Sequence, residues 1–156
     1  MRILNDLFSE AYAREVEALL LLEDISFFSR VRIPGEYGTQ ISVLTFLNYL
    51  FARSTAEVTA QFSPINCAEL ISKVFLTLTA LNESHEQLVV HQDRIATQDS
   101  FIIALTDSPF IVSTVAERLS EADLDVFAFL HPVLHFLARA ITQLLRLLRH
   151  WQSLNH

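Results

Sequence analysis

A chain of 156 residues matches one folded domain, because single hydrophobic cores organise roughly 100 to 200 residues. Apolar residues make up 51% against 19% charged, so a sizeable core is expected, with apolar surface left over for a neighbour. The net charge of −7 excludes the clustered-cation attraction to phosphate on which nucleic-acid binding rests, and nucleic acid is not expected as a partner.

The charge is uneven. No acidic residue follows Asp125, and beyond it the only formal charges are Arg139, Arg146 and Arg149. A single cysteine, Cys67, excludes an internal disulfide, and with no secretory pattern at the N-terminus the chain reads as cytoplasmic. The apolar run at 18–22 is crowded by Arg14, Glu15, Glu17 and Glu23 and is too short to cross a bilayer, which takes about 20 apolar residues, so no transmembrane segment is expected.

With two glycines and four prolines, long elements and few tight turns are expected. Leu4, Leu7, Phe8, Ala11, Val16, Leu19, Leu20 and Ile25 recur at helical spacing, predicting a first helix that ends before the loop at 33–38, where Pro34, Gly35 and Gly38 gather. Ile41, Leu44, Leu47, Tyr49, Leu50 and Phe51 predict a helix over 39–53. The Ser-x-x-Glu pattern from Ser54 to Glu57 has the form of a capping box and predicts a short helix to about Gln61. Ser63 followed by Pro64 is an N-cap with proline at the first helical position, opening a helix over 65–81.

After Asn82 the pattern changes. Leu88-Val89-Val90 and the run from Phe101 to Leu105 are short, β-branched and bounded by polar residues, which predicts two strands, the second buried. Asp107-Ser108-Pro109 supplies a cap and an N1 proline for a helix through Leu119, and 124–130 is a third strand, stopped by His131-Pro132. From Val133 to Leu154, Leu137, Ile141, Leu144, Leu148 and Trp151 line one face of a basic amphipathic helix, with Arg139, Gln143, Arg146, His150 and Ser153 on the other.

The run from Thr106 to Val115, with its Asp107-Ser108-Pro109-Phe110 opening, is followed after a helix by Phe129-Leu130-His131-Pro132. This combination resembles the N-terminal ACT-like region of the large NAD-specific glutamate dehydrogenases, and the resemblance spans about residues 46–136. Ser108, Ser113 and Thr114 stand where that family usually has methionine, aspartate and serine. The resemblance implies an α+β, predominantly helical fold with a partial ferredoxin-like or ACT-like sheet in the order strand, strand, helix, strand. It divides the chain into a helical segment at 1–82, the partial ACT-like unit at 83–136 and a C-terminal amphipathic helix at 137–156 packed on the same domain. The family's catalytic lysine, catalytic aspartate and nucleotide-binding fold have no counterpart in this chain. With only Gly35 and Gly38, no Gly-x-Gly-x-x-Gly loop exists to approach a pyrophosphate, so no cofactor is expected.

The function implied is therefore a non-catalytic regulatory and assembly domain that associates with itself or with other segments of a larger dehydrogenase. A stand-alone interaction module that binds its partner through the C-terminal helix is the alternative. The candidate ligand site is Asp107, Ser108, Pro109, Phe110, Ser113, Thr114 and His131, at a helix start whose free N–H groups attract an anion such as the carboxylate of an amino-acid effector. Asp107 serves equally as the N-cap. Other pairings carry less chemistry. His131 and His135 are separated by Pro132 and have no third ligand for a metal. Cys67 has apolar neighbours and reads as packed, and Glu83, His85, Glu86, His91 and Asp93 read as a solvated connection.

Overall fold

Ser9 opens α1 (Glu10–Leu22) by accepting the Tyr12 amide on its hydroxyl at 3.1 Å, which satisfies one of the free donors at the helix start. Every third or fourth residue from there, Ala13, Val16 and Leu20, is buried. The computed structural model describes residues 7–23, 27–35, 40–84, 88–95, 98–105, 114, 117–118, 120–122, 130 and 132–136. The elements that follow are α2 (Phe27–Arg30), β1 (Val31–Arg32), α3 (Val43–Leu50), α4 (Ala56–Thr59), α5 (Pro64–Glu83), β2 (Leu88–Ile95), β3 (Gln98–Leu105) and β4 (His135–Phe136). The fold is α+β.

The expected first helix is interrupted. α1 ends at Leu22, where the Glu23 amide reaches back to the Leu20 and Leu21 carbonyls, and a separate turn of helix begins at Phe27. The break lets Phe27 turn inward, where its ring meets Phe28 at 4.9 Å, Phe46 at 4.9 Å and Phe75 at 6.0 Å, all edge-on. The chain then passes at once into β1, because Val31 is fully buried and β-branched. Gly35, at φ +90°, closes the turn after Pro34 in a conformation that L side chains resist.

α3 starts later than its spacing suggests, since Ser42 caps it by accepting the Thr45 amide at 3.1 Å. The cap of α4 is Thr55, not Ser54, whose own amide is held by the Phe51 carbonyl at 2.9 Å in the turn that ends α3. α5 begins as its Ser-Pro signal predicts, with Ser63 accepting the Asn66 amide and Pro64 at the first turn, and runs slightly beyond Leu81 to Glu83.

One core joins these helices. α1 lies across α3 and α5, and buried side chains from all three, with Phe27, Val31 and Ile33, form one cluster. A second aromatic group, Phe8, Tyr12, Phe51 and Phe62, closes its other end, with Phe8 and Phe62 each 5.2 Å from Phe51. The Leu7 amide donates to Asn48 Oδ1 at 2.8 Å, which pins the entry to α1 on α3.

The two predicted strands are longer than their apolar runs and pair antiparallel over their full length, from Leu88 opposite Leu105 to Ile95 opposite Gln98. The second is not buried. It alternates like the first, because α5 covers only one face of the hairpin, and Phe101 and Ile103 stay exposed. Of the helix predicted from Pro109 through Leu119, residues 114, 117 and 118 are described and are helical, and Ser120 and Glu121, beyond its predicted end, are helical as well. The strand predicted at 124–130 lies outside the described residues except for Leu130, which is not in a strand and packs against the core.

The C-terminal helix does not begin at Val133. Tyr49 Oη donates to the Val133 carbonyl at 2.9 Å and accepts its amide at 3.1 Å, which holds the chain out of a helix, and His135–Phe136 then pairs antiparallel with β1. The remainder of that helix, residues 137–156, lies outside the described residues.

Phe27→Ala is expected to cost about 3–5 kcal/mol in urea unfolding, because it empties the centre of the four-ring group, and Ser63→Ala about 1 kcal/mol through the lost cap. Leu21→Ala, at an exposed position, is the control. A Phe27→Ala loss no larger than the control would contradict the packing described.

Candidate functional site

Of the residues expected to form a ligand site, Asp107, Ser108, Pro109, Phe110, Ser113 and His131 lie outside the described residues. Thr114 is described, is helical and is exposed. The described structure instead draws attention to the hairpin on α5 and to a corner between α1 and α5.

On the hairpin, alternation sorts the side chains. Val89, His91, Asp93 and Ile95 of β2 and Ser100, Ile102 and Ala104 of β3 are buried or half-buried on the α5 side, with Ile95 2% and Ala104 7% exposed. The outer face carries Leu88, Val90, Gln92 and Arg94 opposite Leu105, Ile103, Phe101 and Asp99. Leu88, Val90 and Phe101 are each about half exposed, so the outer face is apolar along most of its length and ends in the cross-strand Arg94 and Asp99.

The inner polar residues are tied to α5. Lys73 Nζ lies 2.9 Å from Asp93 Oδ2, and His91 Nε2 lies 3.9 Å from the same oxygen. The Lys73 hydrogen bond, with the Arg94 amide at 2.7 Å, holds the Asp93 carboxyl below its usual range. The same hydrogen bond is the main reason that Lys73 is raised, and Glu69 and Glu23 nearby add to it. Asp93 therefore docks the hairpin on α5, a role the sequence reading missed. The signal was present: Asp93 falls on the inward alternation of a strand, opposite a helix with a lysine at its middle.

At the corner, Tyr12 Oη donates to the Phe62 carbonyl at 2.6 Å and touches the Cys67 thiol. Burial pushes the Cys67 thiol up to about 12, so it stays protonated at neutral pH and is a poor nucleophile. Burial also raises Tyr12. The adjoining cleft, about 400 Å³, is lined by Leu7, Phe8, Ser9, Tyr12, Thr59, Ala60 and Phe62 and holds no charged side chain. Among the described residues, no three His, Cys, Asp or Glu side chains gather as a metal set.

α5 is long and apolar enough by composition to cross a membrane, yet α1 packs on one side of it and the hairpin on another. Comparison with known protein families, with curated proteins and with solved structures finds no match to this chain.

The lowered Asp93 value means that the folded chain resists protonation there more than the unfolded chain does. Its stabilisation is present above about pH 4 and is lost as pH falls through the folded value. Lys73 is the mirror case: its contribution is complete below about pH 10 and is lost as pH rises through its raised value. Asp93→Asn is expected to flatten the acid limb of a stability-versus-pH curve, and an unchanged limb would remove the docking role. Tyr12→Phe is expected to cost about 0.5–1.5 kcal/mol, and Cys67 of the native protein to resist a thiol reagent at neutral pH until urea is added.

Proposed function

We propose that this chain is a non-catalytic regulatory and assembly domain, ACT-like in kind and belonging to or derived from a large NAD-specific glutamate dehydrogenase, whose β2–β3 face receives a second copy of itself. One observation carries the assembly reading: a two-stranded hairpin buried on one face against α5 and apolar on the other. The Asp107-Ser108-Pro109-Phe110 and His131-Pro132 motifs support the family reading, and the hairpin followed by the helical residues 114, 117, 118, 120 and 121 is compatible with a partial ACT-like order. The absence of any Gly-x-Gly-x-x-Gly sequence supports a non-catalytic role.

A second copy suits the outer face for a reason of charge. The chain as a whole carries −7, but this face carries one arginine and one aspartate, so two copies meet there without net repulsion. Both strands also lack proline and lysine, the usual guards of a strand edge. Magnitudes bound the strength of the contact. Four apolar side chains near half exposure gain roughly 3–6 kcal/mol on burial, which is comparable with the roughly 4–15 kcal/mol lost on association. The face alone gives a weak dimer, and edge pairing or linkage within a larger polypeptide is needed for a tight one.

Light scattering across a concentration series is expected to show mass rising toward twice that of the chain, with Val90→Asp and Phe101→Asp remaining monomeric and folded. A wild-type monomer at all concentrations, or variants that still associate, would overturn the assembly reading.

A further inference from the structure

The outer face of the hairpin is uneven in two directions. Arg94 and Asp99 stand opposite each other across the strand pair, next to its Ile95–Gln98 end, and both are exposed. Toward the Leu88–Leu105 end the same face presents Gln92 opposite Phe101, Val90 opposite Ile103 and Leu88 opposite Leu105. Its charge is thus confined to one end and divided between the strands, the cation on β2 and the anion on β3. A face of this kind does not accept every orientation of a second copy equally well.

Two copies that meet face to face in a closed dimer are related by a two-fold axis lying between the faces, so every contact occurs twice. Sheets packed with their strands aligned leave two directions for that axis. With the axis across the strands, β2 lies over β2 and β3 over β3, and the strands of the two copies run in opposite directions. Arg94 then lies over the partner's Leu88 and Asp99 over the partner's Leu105, which removes both charges from water with no opposite charge to meet them. Sliding the copies until the charged ends overlap sets arginine on arginine and aspartate on aspartate.

With the axis along the strands, β2 of each copy lies over β3 of the other, and the like ends of the two hairpins coincide. Each residue then lies over the partner's copy of its own cross-strand neighbour. Arg94 meets the partner's Asp99 and Asp99 meets the partner's Arg94, while Val90 meets the partner's Ile103 and Leu88 the partner's Leu105. Both charges are matched, and aliphatic side chains meet aliphatic ones. A crossed packing covers neither end, because the two strands lie only about 5 Å apart while eight residues run roughly 26 Å.

We infer that the second copy docks with its strands parallel to those of the first, about a two-fold axis along the hairpin, and that Arg94 and Asp99 select this orientation by pairing reciprocally between the copies. The inference rests on the assembly reading above and specifies how the partner sits. Exposed ion pairs add little affinity, so these two act by excluding the other orientation, while Leu88, Val90, Phe101 and Ile103 supply the burial.

Arg94→Glu and Asp99→Arg, each made alone in the full chain, turn both intermolecular attractions into repulsions. Each is expected to weaken self-association by about tenfold in sedimentation velocity, with far-UV circular dichroism unchanged. Mixed in equal amounts, the two variants are complementary at both contacts: the new acid of one faces the new arginine of the other, and the remaining Asp99 faces the remaining Arg94. The mixture is therefore expected to associate about as tightly as the wild type. Mixing does not repair a hairpin damaged within one chain, so recovery distinguishes the contact between copies from the cross-strand neighbours of a single copy. If either variant fails to fold, a spin label on Gln98→Cys reads the orientation instead, with Cys67 buried and out of reach of the reagent. In the proposed dimer the two labels share one end and are separated mainly by the sheet spacing of about 10 Å, whereas the other axis adds roughly the 26 Å of a strand. Single variants that associate like the wild type, a mixture no tighter than its components, or labels a strand length further apart would overturn the orientation and leave self-association standing. A wild type that stays monomeric would remove the assembly reading and this inference with it.

Discussion

The structure depends on α5 being covered from two directions at once. Cys67, Ala68 and Ile71 go into the helical core, while Lys73, near the middle of the same helix, reaches outward to Asp93 on the hairpin. A helix with a polar residue at that point would ordinarily present it to water. Here the ion pair lets α5 face a sheet on one side and a helical core on another, and the buried Ile95 and Ala104 set which face of the hairpin turns inward.

That orientation determines what is left outside. Because the side-chain period of a strand is two, placing Asp93 and Ile95 inward forces Leu88, Val90, Phe101 and Ile103 outward. Register thus accounts for the exposed apolar side chains of the hairpin, while Leu21, Leu22, Ile65 and Leu76 are exposed on the helices. The opposite end of the molecule is fixed by different means. β4 is two residues long and would not persist alone; it holds to β1 because Tyr49 clamps Val133 just before it and because Leu130 and Leu134 pack on the core.

How much of this was legible in the sequence varied with the origin of each feature. Local chemistry was readable: Ser63-Pro64 marks the start of α5, and helical periodicity locates α1, α3 and α5. Features decided by a neighbour were not. Ser54 matched a capping pattern, but its amide is taken by the preceding turn, so the cap passes to Thr55. The apolar parts of β2 and β3 were visible as short runs, whereas His91 and Asp93, which lie within β2, read with Glu83, His85 and Glu86 as a solvated connection, because a salt bridge to a helix replaces the apolar inward residue that strand patterns lead one to expect. The break after Leu22 follows from where the Phe27 ring finds partners, which no local rule contains. For the candidate ligand loop, Thr114 alone is described, and its exposed helical position bears on the start of that helix no further than the sequence does.

Amide hydrogen exchange measured residue by residue at low and high protein concentration addresses the central idea most directly, that a hairpin fixed on α5 offers its other side to a second copy. Amides of β2 and β3 are expected to gain protection as concentration rises, while those of α1 and α3 stay constant, because the helical core is complete within one chain. Protection of the hairpin that does not change with concentration, or a change centred on α1 and α3, would contradict it.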